Sequence, residues 1–234
     1  MNRPRLARRD DDLRELMDDP ACDPERLRRT LERFGVVNRL IAAWGTVYRN
    51  RVRPALATAT GPVRLLDIGC GGGDVLRGLV ARARADGFSV SAVGIDPDAR
   101  SLAVARAAHP VRGVEFRQVD SAALAAAGER FDVVVSSHVV HHLSRNELQG
   151  VLRDSERLAT RLAVHSDIAR SRLAYAAYAI GITPLAPGTF LRTDGLRSIR
   201  RSWTAEELAE VVPTGWRVER PAPFRLLAVH EADA

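Results

Sequence analysis

Residues 65–74 read LLDIGCGGGD, a short apolar run that leads into a cluster of glycines and then an acid. The apolar run predicts a buried strand over Val63–Ile68, and the pattern that follows predicts a helix over Asp74–Arg84. Glycine has no side chain and tolerates positive φ, so a glycine-rich turn lets a ligand approach the backbone closely. The stretch therefore predicts a ligand-binding loop at the end of a strand in an α/β fold.

The alternation of short apolar runs and helical patterns continues from Gly61 to the carboxyl terminus, and it predicts a mostly parallel sheet with helices between the strands. We predict strands at Val90–Ile95, Val114–Val119, Phe131–Ser136 and Arg161–Val164, and helices at Asp98–Ala108 and after the capping boxes at Ser144 and Thr204. Residues 216–232 predict two last strands, which pair antiparallel because the turn between them is short.

Two segments lie outside this alternation. Residues 1–60 predict a helical cap with one helix that begins at Asp23-Pro24 and stops at Gly35, and a second that ends at Pro54. Residues 169–200 predict a lid inserted after the fifth strand, made of an apolar stretch and then an arginine-rich turn. We therefore divide the chain into a cap at 1–60 and an α/β domain at 61–234.

The composition narrows the classes of partner. The chain has 35 basic residues, all arginine, against 29 acidic ones, but the arginines are spread along it and aromatic residues make up only 5%. This pattern argues against a nucleic-acid partner, which usually needs clustered basic residues with aromatics between them. No apolar run is long enough to span a bilayer, and the amino-terminal residues lack the core of a signal peptide. With two cysteines, we expect a cytoplasmic protein.

The glycine loop also discriminates between nucleotide cofactors. The dinucleotide fingerprint started at Gly69 would require glycine at position 74, where Asp74 stands. Asp67 lies at the end of the strand, where its carboxylate would repel a pyrophosphate and attract a cation. S-adenosylmethionine carries a sulfonium and an ammonium and no phosphate, so the loop favours S-adenosylmethionine over NAD.

At this point the sequence resembles the class I S-adenosylmethionine-dependent methyltransferases, over roughly residues 61–234. The resemblance rests on the glycine loop, on Gly94-Ile-Asp96-Pro97, on Gln118-Val-Asp120-Ser121 and on Phe131–Ser137. It implies a Rossmann-like, seven-stranded, mostly parallel sheet with an antiparallel last strand. In this family the acid after the second strand binds the ribose hydroxyls, and the acid of the third motif reaches the adenine amino group. The implied cofactor-binding residues are Asp67, Gly69, Gly71, Gly73, Asp96, Pro97, Asp120, Ser121, Ser137 and His138.

Four of the six histidines fall at two strand ends beside the predicted methyl site: His138, His141 and His142 after the fourth strand, and His165 in the fifth. A histidine can accept the proton of a hydroxyl group at neutral pH, and a carboxylate can orient its ring. We therefore predict His142 or His141 as a general base and Asp167 as its partner. Two alternatives are that the histidines have a purely structural or cofactor-packing function, or that they bind a metal. H-x-x-H-H, however, has no familiar metal-ligand spacing.

The predicted lid suits an apolar acceptor. Its apolar stretch contains two phenol groups, at Tyr175 and Tyr178, and we expect them to line the acceptor pocket with Asp194 and Arg201. The arginines of the following turn, Arg192, Arg197, Arg200 and Arg201, would steer an acidic, enolate-like acceptor. An amphipathic helix packed on the core is the alternative interpretation of this stretch.

The resemblance extends to two functional groups within the family: small-molecule O-methyltransferases of bacterial polyketide and other natural-product pathways, and methyltransferases of ubiquinone and menaquinone biosynthesis. We therefore predict methyl transfer to a phenolic or enolic hydroxyl of an aromatic, polyketide-like molecule, with no metal. A quinol C-methyltransferase, an RNA methyltransferase and a non-catalytic cofactor-binding protein stay open as alternatives. A homodimer is also left open.

Overall fold

The computed structural model describes residues 6–232, and over this range it contains one seven-stranded sheet. Its strands are β1 (Val63–Ile68), β2 (Val90–Ile95), β3 (Val114–Arg117), β4 (Phe131–Ser137), β5 (Ala159–Ile168), β6 (Trp216–Glu219) and β7 (Arg225–Glu231). Their order is β3-β2-β1-β4-β5-β7-β6, with β7 antiparallel to both neighbours and the other pairs parallel. The predicted fold class is confirmed.

Helices cover both faces of this sheet. They are α1 (Pro24–Ile41), α2 (Trp44–Val47), α3 (Arg53–Ala57), α4 (Asp74–Ala85), α5 (Ala99–Ala107), α6 (Ser121–Ala126), α7 (Arg145–Leu158), α8 (Arg172–Gly181), α9 (Leu191–Arg201) and α10 (Ala205–Ala209). Both predicted capping boxes are present, at the starts of α7 and α10. Among the described residues, no helix has the length and apolarity that crossing a membrane requires.

The core has two layers because successive strand residues point to opposite faces of the sheet. Leu65 packs on one face with the α4 residues Leu76 and Val80, and Leu66 packs on the other with Leu148 of α7. The strand ends are less apolar than the strand centres. The polar run at the end of β5 continues the strand to Ile168, past the predicted end at Val164, because β7 pairs with it on the open side.

The amino-terminal helices differ from the prediction. α1 runs through Gly35 to Ile41, and the chain turns only at Ala43, which has a φ of 57°. A Cβ at position 35 would lie 3.6 Å from the Asp74 Cβ, so the glycine sits where α1 approaches the glycine loop. Pro54 does not end a helix either. It lies in the first turn of α3, directly after the π-helical turn Tyr48–Val52, so the chain stays helical through the proline.

Two other segments also correct the prediction. The residues between α1 and β1 belong to the main core, since Trp44, Val52 and Leu56 are buried with Leu65. The expected arginine-rich turn of the lid is the helix α9, with Leu191 and other residues buried along one side. The division at residue 60 and the function of 169–200 as a lid stay predictions.

Candidate functional site

A cavity of about 380 Å³ lies at the carboxyl ends of the central parallel strands. The glycine loop and Asp96 form one end of it, and the histidines that follow β4 form the other. Residues of α1, α8, α9 and the segment before α1 complete its wall. Parallel α/β sheets bind ligands at this edge, so the cavity is the candidate active site.

The backbone of the glycine loop is shaped for close approach. Gly69 has a φ of 68°, and a Cβ added there would lie 2.5 Å from Cγ2 of Val139. Gly73 has a φ of 74°, and its added Cβ would lie 2.5 Å from the Phe116 ring. With Gly71, which also has positive φ, these residues allow a turn that a side chain would block on its inner side.

Asp67 ends β1 with its carboxylate in the cavity wall. The side chain is buried, and within residues 6–232 neither of its oxygens has a hydrogen-bond partner. Burial raises the pKa of this carboxyl well above its ordinary value, and the nearby Asp74 and Asp96 raise the pKa further. A buried carboxylate without a partner is costly, and a cationic ligand group would supply the missing partner. The donor set therefore fits S-adenosylmethionine.

Asp96 is held in place by main-chain groups. Its Oδ2 accepts from the Gly71 N–H at 2.9 Å and its Oδ1 accepts from the Asp98 N–H at 2.9 Å. The acid thereby ties the end of β2 to the glycine loop, and it lines the cavity beside Pro97. The helix that follows is capped by Asp98, so Asp96 is not its N-cap.

The third motif, which contains Asp120 and Ser121, does not reach the cavity. Asp120 is exposed, caps α6 by accepting from the Ala123 N–H at 2.8 Å, and does not line the cavity. Ser121 is buried, and its hydroxyl donates to Oδ2 of Asp154 at 2.7 Å. The structure does not bring these two side chains into the cavity wall, and their assignment to the cofactor site stays a prediction. In this motif the capping function of Asp120 and the packing of α6 on α7 account for both residues.

Ser137 and His138 end β4 at the cavity. The Ser137 hydroxyl accepts from Nε1 of Trp44 at 3.0 Å, which ties the α2 segment to the site. His138 has a φ of 59°, and its Nε2 lies 3.2 Å from the Arg225 guanidinium. Burial and the Arg225 charge lower the pKa of His138 to about 3. His138 is therefore neutral at physiological pH.

His141 is locked between two carboxylates. Its Nδ1 lies 2.8 Å from Oδ1 of Asp167, and its Nε2 lies 3.1 Å from Oε1 of Glu15. Burial opposes the charged ring, but the two carboxylates outweigh it and raise the pKa of His141 to about 9. His141 is thus an imidazolium with both nitrogens engaged, which leaves it no lone pair with which to accept a proton. Asp167 does lie beside a histidine, as predicted.

His142 is the histidine with an open nitrogen. Its side chain is 29% exposed, its Nδ1 lies 3.4 Å from Oδ2 of Asp18, and its Nε2 lies 3.8 Å from Oε2 of Glu15. The second distance is too long for a hydrogen bond. His142 lines the cavity, and its Nε2 has no hydrogen-bond partner among the described residues.

His165 does not join this cluster. Its Nδ1 lies 2.7 Å from the Ser136 hydroxyl and its Nε2 lies 3.0 Å from the Ser155 hydroxyl. Burial lowers the pKa of His165 to about 4, so it is a neutral core histidine. The groups that could hold a metal, within the part of the chain that the structure describes, all include His141, whose nitrogens already face carboxylates. The donors therefore favour ion pairs over a metal.

The predicted substrate residues divide into two pairs. Tyr178 and Asp194 line the cavity, but Tyr175 and Arg201 do not. The Tyr178 hydroxyl donates to the Leu191 carbonyl at 2.8 Å. Asp194 accepts from the N–H groups of Leu16 and Met17, so it anchors the segment before α1.

The arginines of α9 have a different function from the one expected. Arg197 donates to the Arg14 carbonyl at 2.6 Å, and Arg200 pairs with Asp10 at 2.5 Å. Arg201 donates to the His142 carbonyl at 3.0 Å. With Arg192, they lie outside the cavity wall. Arg197, Arg200 and Arg201 therefore fasten the amino-terminal segment to α9.

Glu15 is the site residue that the sequence argument missed. It is buried, and it accepts from the Ser198 hydroxyl at 2.6 Å while facing both His141 and His142. The acidic run Glu15-Leu-Met-Asp-Asp19 was the available signal. No spacing rule joins it to histidines more than a hundred residues away.

Known methyltransferases match part of the chain. A family model described as a methyltransferase domain matches residues 65–161. A ubiquinone biosynthesis O-methyltransferase of Cereibacter sphaeroides is 45% identical over 84 residues, which are 35% of this chain and 32% of that protein. One of Rhizobium etli is 41% identical over 88 residues, 37% and 33% of the two chains. The chain therefore spans about a third of the length of these curated relatives.

Solved structures share the fold over most of the chain. The plantazolicin methyltransferase BpumL, in complex with a triazolic desmethylPZN analog and SAH, has a TM-score of 0.57 at 13% identity and covers 89% of this chain and 97% of its own. The CurJ carbon methyltransferase has a TM-score of 0.62 at 17% identity, over 91% and 61% of the two chains. Identities this low bear on the fold alone.

The strand order, the glycine loop and the domain match agree with the family predicted from the motifs. Residues 65–161 match a methyltransferase domain, and the fold is the Rossmann-like one of S-adenosylmethionine-dependent methyltransferases, so both findings support the family that the motifs predict.

Proposed function

We propose that the protein transfers the methyl group of S-adenosylmethionine to a hydroxyl group of a small phenolic or enolic molecule, with His142 as general base. The observation that carries this proposal is the position of His142 in the wall of the same cavity that contains the glycine loop and Asp67. The apolar residues around it, among them Phe34 and Tyr178, suit an aromatic acceptor.

Two ends of the cavity divide the binding tasks. Asp67 and Asp96 lie at the strand ends beside the glycine loop and would hold the cofactor. The Asp67 carboxylate would attract the positive charge of S-adenosylmethionine, and Asp96 would bind the ribose hydroxyls. When bound, S-adenosylmethionine supplies an electrophilic methyl group on sulfur. The acceptor would lie on the histidine side, between α1, α8 and the segment that carries Glu15.

The protein's own part in the reaction is proton transfer and alignment. Nε2 of His142 would accept the hydroxyl proton while the acceptor oxygen takes the methyl group, whose bond to sulfur breaks and leaves its electron pair on S-adenosylhomocysteine. Nδ1 of His142 donates towards Asp18, whose charge stabilises the imidazolium that forms. Asp18 is 35% exposed, so the proton has a route to water. Alignment of the two reactants supplies the rest of the acceleration.

Asp167 and His141 act one step behind the base. The locked pair fixes the loop from which His142 projects, because Asp167 also accepts the main-chain N–H of His141 at 2.8 Å. We therefore assign His141 and Asp167 as positioning residues, and keep the catalytic assignment for His142.

Methyl transfer from labelled S-adenosylmethionine to a panel of phenols, hydroxypyrones and hydroquinones tests the proposal. We expect O-methyl products, and a His142→Ala variant that binds S-adenosylhomocysteine normally but turns over at least a hundredfold more slowly. His109→Ala, at an exposed position away from the cavity, is the matched control. Full turnover by His142→Ala would refute the base, C-methyl products would refute the hydroxyl target, and cofactor binding without any turnover would refute the activity.

A further inference from the structure

The cavity wall has an excess of acidic side chains. Seven carboxylates line it, and although the chain has 35 arginines, none of those within residues 6–232 does so. Four of the acids belong to the cofactor end: Asp67, Asp74, Asp96 and Asp98. The other three, Glu15, Asp18 and Asp194, surround the end that holds the histidines. This distribution bears on the acceptor, since Glu15 and Asp18 lie beside His142 at the end proposed for the acceptor.

The nearest cations do not reverse this excess. His141 is charged, but it lies between Glu15 and Asp167, so the three groups together carry one negative charge. Arg201 approaches Asp18 only at 3.5 Å and gives its better hydrogen bond to the His142 carbonyl at 3.0 Å. Arg225 contacts His138 and Ser166 and does not line the cavity. Arg201 and Arg225 each keep a buried Nε–H without a partner among the described residues, but neither side chain lines the cavity.

The remaining wall at the acceptor end is apolar. Phe34 of α1 lies against His138, with ring centroids 6.4 Å apart, and Met17, Val37 and Ile41 also line the cavity. An anion placed there would lose its hydration, and it would meet carboxylates instead of hydrogen-bond donors. Both the desolvation and the repulsion between like charges are unfavourable. A neutral phenol meets none of this penalty, and an ammonium group gains the acids as partners.

From this charge distribution we infer that the acceptor is an uncharged or cationic hydroxylated aromatic molecule, and that the cavity rejects acceptors bearing a carboxylate or phosphate near the reacting hydroxyl. The inference rests on the proposed function in taking the histidine end as the acceptor chamber. It removes ionised enolic acids from the proposed substrates and replaces the acidic acceptor that the arginines of the lid had suggested.

Binding of matched phenols tests the inference independently of turnover. The probe is a collection of hydroxylated benzoic acids, their methyl esters and the corresponding benzylamines, measured by ligand-observed NMR on protein saturated with S-adenosylhomocysteine. We expect each ester and amine that binds to do so at least tenfold more tightly than its acid. Acids that bind as tightly as their esters would overturn the inference, and so would an absence of binding in all three classes.

A variant with one added charge sharpens the test. Met17→Arg puts a guanidinium in the chamber wall, and we expect it to raise acid binding at least tenfold relative to ester binding. Ala21→Arg adds the same charge at an exposed position outside the wall and should change neither. An equal gain in both variants would contradict the inference, because it would come from net charge alone. If esters bind as expected but no phenol is methylated, the proposed function fails and the charge selectivity stands.

Discussion

Asp167 receives two hydrogen bonds from His141, one from the ring Nδ1 to its Oδ1 at 2.8 Å and one from the main-chain N–H to its Oδ2 at 2.8 Å. The charge and hydrogen bond of His141, together with the Arg225 charge, outweigh burial and hold the pKa of the Asp167 carboxyl below its ordinary range. The pair is buried at the point where β5 meets the loop after β4. It links the rigid sheet to the loop that carries His142.

This pair makes stability depend on pH on the alkaline side. The pKa of His141 is about 9 in the folded protein, against about 6.5 in an unfolded chain, so its stabilisation is complete below pH 6.5 and is lost as the pH rises through 9. We expect the free energy of unfolding to fall by roughly 2 to 3 kcal/mol between pH 7 and 10. Urea unfolding at several pH values measures this fall.

A His141→Gln variant provides the comparison for that titration. It should be less stable than the native protein at pH 7, and the difference between the two proteins should shrink towards pH 10. A difference that stays constant across this range would show that His141 is not the titrating group.

The anchor of the amino-terminal segment gives a second prediction. Asp194→Ala removes the acceptor of the Leu16 and Met17 N–H groups, which releases the segment that places Glu15 and Asp18 beside the histidines. We expect faster amide exchange over residues 12–20, a loss of roughly 2 kcal/mol in stability and a higher KM for the acceptor. Hydrogen exchange read by mass spectrometry measures the first effect. Asp12→Asn, at an exposed position, is the control and should leave the exchange unchanged.

The glycine loop allows a matched pair of substitutions. Gly69 and Gly128 both have positive φ, 68° and 72°, so alanine at either position costs about 1 kcal/mol of backbone strain. Only at Gly69 would the new Cβ meet a neighbour, Val139 at 2.5 Å, while nothing lies within 4 Å at Gly128. Gly69→Ala should therefore weaken binding of S-adenosylhomocysteine at least tenfold in calorimetry, whereas Gly128→Ala should not. Adding Val139→Ala to Gly69→Ala should recover part of the affinity, and equal effects of both glycine variants would disprove the steric argument.

The sequence predicted the parts of the site that local patterns determine. The positions of Asp67 and Asp96 in the site could be predicted because each lies at the end of a strand that its apolar run identifies. A parallel sheet brings such strand ends together. Glu15 could not be placed, because its contacts to His141 and Ser198 depend on how α9 and the amino-terminal segment pack. Gly35 was misread for a related reason, since α1 continues to Ile41 with Val37 buried, and this burial favours helix past the glycine.

The same limit explains the third motif. An acid after a strand gives the same sequence pattern whether it faces a ligand or caps the next helix. In the structure Asp120 caps α6. The choice between the histidines was also beyond the sequence. His141 and His142 are adjacent in the chain, and only the three-dimensional structure shows which ring is enclosed by carboxylates and which keeps a free nitrogen.

The last prediction concerns the opposing effects of Asp67 on binding and stability. Its ionised carboxylate is buried without a partner, so Asp67→Asn should stabilise the cofactor-free protein near pH 8 and at the same time weaken S-adenosylmethionine binding at least tenfold. The raised pKa of Asp67 fixes the sign, because a group that is harder to ionise in the folded state costs stability as the pH rises above its unfolded value. The stability gain of Asp67→Asn should therefore shrink as the pH falls towards 4. Thermal unfolding at pH 5 and 8, with calorimetric titration of the cofactor, measures both effects against Asp12→Asn. A variant that loses stability and affinity together would mean that Asp67 supports the fold instead of the cofactor.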